Sequence, residues 1–151
     1  MNIGSGSGYP ASALSNFSPH PFVFDGVEVA SPEGFLQSLK FDKPHVQVEV
    51  CKLVGKAAKF RGKKRNSNWQ RVQKLWWLGQ EFDRHGGEYQ RLLDRFYFEM
   101  AKQSESFRKA LLASGNATLT HSIGHNDPSK TILTEREFCS RLTRLRKFLQ
   151  L

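Results

Sequence analysis

The sequence predicts an α+β fold: one mostly helical domain over residues 1–151 with a small β-hairpin sheet. Three observations carry this expectation. Tyr89, Leu92, Leu93, Phe96, Tyr97 and Met100 recur at helical spacing and form the clearest apolar stripe in the chain. Phe22-Val23-Phe24 and Val27-Glu28-Val29 are β-prone runs joined by Asp25-Gly26. That dipeptide suits a type I′ turn, because glycine accepts positive φ and aspartate tolerates it. Thr134-x-x-Glu137 matches a capping box and opens a final helix marked by Phe138, Leu142, Leu145 and Leu149.

The remaining elements follow in chain order. The first fifteen residues are rich in Gly, Ser, Ala and Pro and predict an irregular segment. Gly4, Gly6 and Gly8 have no strand before them and no helix directly after, so they do not make a nucleotide-binding fingerprint. After the hairpin, Ser31-Pro32-Glu33 supplies an N-cap, a first helical position and an acidic first turn. This helix is expected to run to about Phe41, since Pro44 forbids much more. Val46, Val50, Leu53, Val54 and Ala57 predict one further helix, and residues 62–68 a loop. Trp69 to Trp77 fits a short helix or an extended segment. Phe107, Leu111 and Leu112 predict a helix that stops at Gly115, a natural C-terminal cap.

Composition narrows the function. There are 23 Lys+Arg against 14 Asp+Glu, and nine of the basic residues fall between Val50 and Lys74 with no acidic residue among them. The rest of the chain is neutral. Concentrated charge of this kind attracts polyanions such as nucleic acid or phosphorylated ligands, with Lys63, Lys64 and Arg65 as the densest contact. It also describes a solubilising helix face followed by a basic loop. Two cysteines, Cys51 and Cys139, cannot build a disulfide framework, and no Cys-x-x-Cys pair exists for zinc. No apolar run approaches the ~18 residues of a membrane span, and Met1 to Gly6 lacks the basic and apolar regions of a secretion signal. A cytoplasmic protein away from the membrane is expected.

One constellation could carry chemistry. Glu33, Gln37 and Lys40 stand at i, i+4 and i+7 and therefore lie within ~60° of one another around a helix, bordered by apolar side chains. The stripe is either a Glu–Lys pair bridging a buried seam or an active-site wall. As a wall it offers a carboxylate for proton transfer, an amine as nucleophile or anion binder, and an amide to orient substrate. Its competitors are weaker. His121-x-x-x-His125 has metal-like spacing but encloses Gly124 and lacks further ligands, so no metal or cofactor is expected. No Gly-x-Ser-x-Gly elbow is present. Trp76-Trp77 either stacks a base or anchors a surface segment to the core.

Read together, these residues resemble the NADAR superfamily with its YbiA-like fold. The matching elements are Leu14-Ser15-Asn16-Phe17, Asp25-Gly26, and Ser31-x-Glu33-x-x-x-Gln37-x-x-Lys40-Phe41. Ala57-Ala58, Gly62, Trp69 and Leu111-Leu112-Ala113-Ser114-Gly115 follow in family order. The likeness covers nearly the whole chain. Three features depart from the family pattern, one of them a later Gly-x-Asn-x-x-Gly that is replaced here by Thr134-Glu135-Arg136-Glu137-Phe138. Many members place His after the glutamate, where this chain has Gly34. Many carry a late Asp-x-x-Trp-Gly, whose nearest counterpart here is His121-Ser122-Ile123-Gly124.

The resemblance implies cleavage of an N-glycosidic bond to ribose. By it, Lys40 is the nucleophile that forms a Schiff base with the opened ribose, and Glu33 its acid/base partner. Asn16, Phe17 and Gln37, with Trp69 and His121, would shape the substrate site. The substrate implied first is ADP-ribosylated guanine in nucleic acid, DNA before RNA or free nucleotide. A DarT-like ADP-ribosyltransferase would then be the toxin that this activity reverses. A ribosylamine intermediate of riboflavin synthesis is the alternative substrate. A non-catalytic ADP-ribose or nucleic-acid binding module is the alternative of another class.

Overall fold

The structure is a computed structural model that describes all 151 residues. It opens with the antiparallel hairpin of β1 (Phe22–Phe24) and β2 (Val27–Val29), and Asp25 and Gly26 at φ 49° and 80° make the type I′ turn that the dipeptide predicts. Phe22, Phe24, Val27 and Val29 point inward while Val23 and Glu28 face solvent. The buried face meets α1 (Pro32–Ser38) and α5 (Gly87–Gln103), where Phe35 lies parallel on Phe96 at 3.9 Å and Phe24 meets both rings edge-on. These aromatics sit inside one core of 29 buried residues that runs from Ile3 to Leu142 and takes none from 44–50 or 55–63.

α1 starts as the sequence predicts: Ser31 Oγ accepts from Gly34 N, and Pro32 takes the first helical position. The helix ends earlier than predicted, at Ser38. Leu39, Lys40 and Phe41 continue in tighter turns, each N–H donating to the carbonyl three residues back. The single helix expected around Val46 to Ala57 is two, α2 (Pro44–Val50) and α3 (Gly55–Lys63). The cause is tertiary. Cys51 O accepts from Ala30 N and Leu53 O from Ser31 Oγ, so carbonyls that would propagate the helix are already used.

The loop expected at residues 62–68 is helical at both ends. α3 runs to Lys63, and α4 (Asn66–Val72) begins three residues later. Gly62 lies directly against the Gln37 side chain, where a Cβ would overlap the carboxamide. The undecided stretch from Trp69 to Trp77 is both things in turn: the end of α4, then β3 (Lys74–Trp77). β3 pairs with β4 (Gln80–Asp83) through a Leu78-Gly79 turn at φ 47° and 91°, a second hairpin that the sequence reading missed. Trp77 is buried and its Nε1 donates to Asp25 Oδ2, joining the two hairpins, so this tryptophan is an anchor.

α5 buries the predicted stripe. α6 (Glu105–Ala113) buries Phe107 and Leu111 but turns Leu112 outward, and Gly115 follows at φ 61°. α7 (Glu135–Leu149) has both halves of its capping box, and Glu137 also takes the buried Arg84 guanidinium in two hydrogen bonds. No helix is long and apolar enough to cross a membrane.

Gly34 explains itself in this packing. A Cβ there would lie 2.7 Å from Leu53 O and 3.0 Å from Val50 O, both backbone atoms that cannot swing aside. A side chain at this position has no room. Gly34→Ala is expected to lower stability by about 1–3 kcal/mol through overpacking, read as a lower urea midpoint with an unchanged slope.

Candidate active site

The tight turns after α1 carry Lys40 back over the helix, so it still faces the side on which Glu33 and Gln37 stand. All three line one cavity of about 330 Å³. Asn16, Phe17, Trp69 and His121 line it as well, so the seven residues singled out for catalysis and substrate binding converge. Lys63, Lys64 and Arg65 do not. Lys63 and Lys64 lie exposed at the α3–α4 junction, and Arg65 is half-buried beside the Phe41 ring. Among the other lining residues, the polar groups Lys59, Asn66, His125 and Lys130 were not selected by the sequence reading. Lys59 was visible only as one charge in the basic window, and Asn66 was hidden inside a supposed loop.

Glu33 and Lys40 do not pair. Glu33 Oε1 accepts from Gln37 Nε2 at 2.7 Å, and Lys40 Nζ donates to Asn66 Oδ1 at 2.6 Å. Each ionisable group therefore has a neutral partner, and the Glu–Lys bridge weighed from the sequence is absent. The backbone positions both ends of the pair. Glu33 N donates to Asn16 O, which ties the Ser-Asn-Phe segment to the first turn of α1. Asn16 Oδ1 accepts from the buried Tyr97 hydroxyl of α5, which leaves its amide hydrogens free of protein partners. His121 Nδ1 contacts Ile3 O at 2.8 Å, a bond that needs the proton on Nδ1 and leaves Nε2 as an acceptor in the neutral ring.

Burial decides the electrostatics. Lys40 is only 6% exposed, and desolvation pushes its ammonium down to about 8 against the opposing pull of Glu33, with Lys59 helping. Desolvation likewise raises the Glu33 carboxyl, against the Gln37 hydrogen bond and the positive charges of Lys40 and Lys59. The sequence left open whether burial or pairing would govern Lys40; burial does. An amine and a carboxyl in one cavity, each moved toward its neutral form, is an arrangement suited to nucleophilic attack with proton transfer.

The profile of the bacteriophage protein GP30.3 family matches residues 8–147. The chain belongs to that family. It is 39% identical over 150 residues to a 17.1 kDa protein of phage T4 from the Gp30–rIII intergenic region, covering 97% of this chain and 96% of the relative. The fold is that of the E. coli protein YbiA, whose NMR structure superposes with a TM-score of 0.65 at 17% identity, over 99% of this chain and 84% of the other. Family and fold together place the chain in the NADAR superfamily.

The Lys40 shift has a measurable consequence for stability. Between about 8 and 10.5 the unfolded chain holds a proton on Lys40 that the folded chain has lost, so wild-type stability rises with pH across that window. Lys40→Met removes the cost of a buried charge and should be more stable than wild type at pH 7 by about 1–3 kcal/mol. That advantage should shrink as pH climbs from 8 to above 10. Parallel denaturation series at several pH values measure it.

Proposed function

We propose that this protein is an N-glycosidase that removes ADP-ribose from guanine in nucleic acid, DNA first, using Lys40 as nucleophile and Glu33 as its proton partner. The observation that carries the reading is the unpaired Glu33 and Lys40 in one cavity, with burial lowering the amine to about 8. At neutral pH roughly one Lys40 in ten is then neutral, against one in a few thousand for a free lysine. The choice of ADP-ribose rests on the NADAR resemblance and on the cations Lys59 and Lys130 at the cavity, which suit a pyrophosphate. Service as the antitoxin of a DarT-like ADP-ribosyltransferase belongs to the same reading and rests on the resemblance alone. Lys63, Lys64 and Arg65 would add contacts to the nucleic-acid backbone.

The chemistry balances as follows. The Lys40 Nζ lone pair attacks C1′, the C1′–N bond to guanine breaks, and its electron pair stays on the base nitrogen, which takes the proton of Glu33. Nζ then returns a proton to Glu33 as C1′=N forms and the ring C1′–O4′ bond opens, with O4′ taking a proton from water. The hydroxide left by that water adds to C1′ of the protonated imine, and the carbinolamine collapses to the open-chain aldehyde as its hydroxyl proton passes to Nζ, which frees neutral Lys40. The reactive form needs one proton on the pair, held by Glu33, with Lys40 neutral.

Two outcomes test this. Borohydride added during turnover should fix ADP-ribose covalently on Lys40, located by peptide mapping, while Lys40→Arg binds substrate and fails to cleave it. Full activity of Lys40→Arg would reduce Lys40 to an electrostatic clamp.

The pH profile is the sharper test, because a pair that needs one shared proton gives a plateau. Wild-type kcat/KM should fall as pH rises above about 8, where the pair loses that proton. Glu33→Gln should slow turnover by roughly 10²–10⁴-fold. Its residual rate should rise with pH toward 8, because only neutral Lys40 is then required. A Glu33→Gln profile that keeps the alkaline fall would show that Glu33 is not the proton carrier.

A further inference from the structure

Apart from Lys59, the outer face of α3 lies outside the cavity. Lys56, Lys59, Phe60 and Lys63 stand at i, i+3, i+4 and i+7 on one side of the helix, and all are exposed. Phe60 is 70% exposed, on a helix that buries only Gly55, Ala58 and Gly62. Lys64 follows one turn beyond it, so the ring has a lysine one turn before and two one turn after. None of these four lysines is ion-paired, and α3 contains no acidic residue. Arg61, the remaining cation of the helix, is turned away to Glu49 at 3.8 Å and to the Phe41 ring.

The exposed rings of Phe98 and Phe148 are set differently. Phe98 and Phe148 cover each other edge-on, and the neighbouring Arg95 and Arg144 are engaged by Asp25 and Asp94. Phe60 has neither an aromatic partner nor a neutralised surround.

An uncovered ring among unpaired ammonium groups is complementary to a polyanion that also offers flat apolar faces. Single-stranded nucleic acid has both, since its bases are free to stack and its phosphates to meet the lysines. A duplex keeps its bases inside and offers such a ring nothing to stack on. We propose that the exposed face of α3 is a binding track for single-stranded nucleic acid, with Phe60 stacking a base between phosphates held by Lys56, Lys59, Lys63 and Lys64. Lys59 also lines the cavity, so the track runs to its mouth. The base on Phe60 then belongs to a neighbour of the nucleotide that enters, a last step that rests on the glycosidase reading.

Unmodified oligonucleotides test the track without reference to that reading. Anisotropy titrations of a labelled mixed-sequence 15-mer, as single-stranded DNA, single-stranded RNA and DNA duplex, would compare the full-length wild type with Phe60→Ala, Phe60→Leu and Phe60→Trp. Phe60→Ala and Phe60→Leu should weaken single-strand binding about five- to a hundred-fold, the value of one stacked base. Phe60→Trp should keep it, and duplex binding should change less than about twofold in every variant, since backbone contacts alone remain there. Thermal melts would confirm that these surface variants fold. Wild-type affinity in Phe60→Ala, equal losses on single strand and duplex, or a Phe60→Leu that binds like wild type would each overturn the proposal. Because these strands carry no ADP-ribose, a protein without glycosidase activity would leave the readout intact. A failed track would likewise leave the glycosidase standing.

Discussion

The candidate site hangs on one buried amide. Gln47 of α2 is fully buried, and its Nε2 is shared among the carbonyls of Ser38, Phe41 and Trp76 while its Oε1 accepts from Leu78 N. Ser38 and Phe41 bracket the turn that carries Lys40. On the other side, Trp76 N donates to Leu39 O. A turn outside regular helix would ordinarily be the loosest part of α1. Here its carbonyls are held by a side chain from the next helix and by the edge of β3. Each of these polar groups would cost about 1–3 kcal/mol if buried without a partner, so the clamp is maintained as a unit. On the proposed reading Lys40 is a nucleophile, which must be held to about half an ångström, and this clamp supplies that hold.

The opposite end of α1 is fixed by the core. Phe35 stacks on Phe96, Gly34 lets the helix press against the carbonyls that end α2, and Glu33 N reaches Asn16, itself held by Tyr97 of α5. Glu33 and Lys40 are thus positioned by different neighbours, and Gln37 and Asn66 occupy the bonds that would have joined them. That separation matters chemically. A direct ion pair would have held both groups charged, the amine too high to attack and the carboxyl too low to donate. Neutral partners leave desolvation as the largest influence on each, so both move toward the neutral form.

What could be read in advance follows the range of the signals. Caps, the Asp25-Gly26 turn and the α5 stripe are each encoded in a few consecutive residues, and they appear where the sequence places them. The misplaced elements are those decided from a distance. The α2–α3 break depends on Ala30 and Ser31 taking carbonyls some twenty residues on, and the helical character of 62–68 on Gly62 lying against Gln37. Leu78 at φ 47° is an unfavourable residue for a type I′ turn, so the second hairpin left no turn signature. Gln47 was silent for a related reason: a glutamine in mid-helix suggests a solvent face, and only the fold shows it surrounded by carbonyls. The Glu33–Gln37–Lys40 stripe was legible because periodicity survives the tightening of the last turn, while the pairing of Glu33 with Gln37 and of Lys40 with Asn66 was not.

The cavity has two walls of different construction, and this bears on how the family can diverge. One wall is α1 with α3 and α4, locked by the core and by Gln47; it carries Glu33, Gln37, Lys40 and Asn66. The facing wall is the irregular run between α6 and α7, including His121, His125 and Lys130. That run is held by the parallel bridge of Asn2 with Thr120, by Ile3 O at His121, and by the Glu135 carboxylate on His121 N, bonds largely made through backbone groups. Backbone-tethered loops can exchange side chains without disturbing a core, whereas Gly34 and Gly62 leave the first wall almost no freedom. The departures in the late motif fall on the replaceable wall. Gly34, the departure on the fixed wall, answers a steric demand of α2. On the proposed reading, the wall that holds the reacting amine and carboxyl is the one least free to change, and the choice among ribose-linked substrates lies with the other.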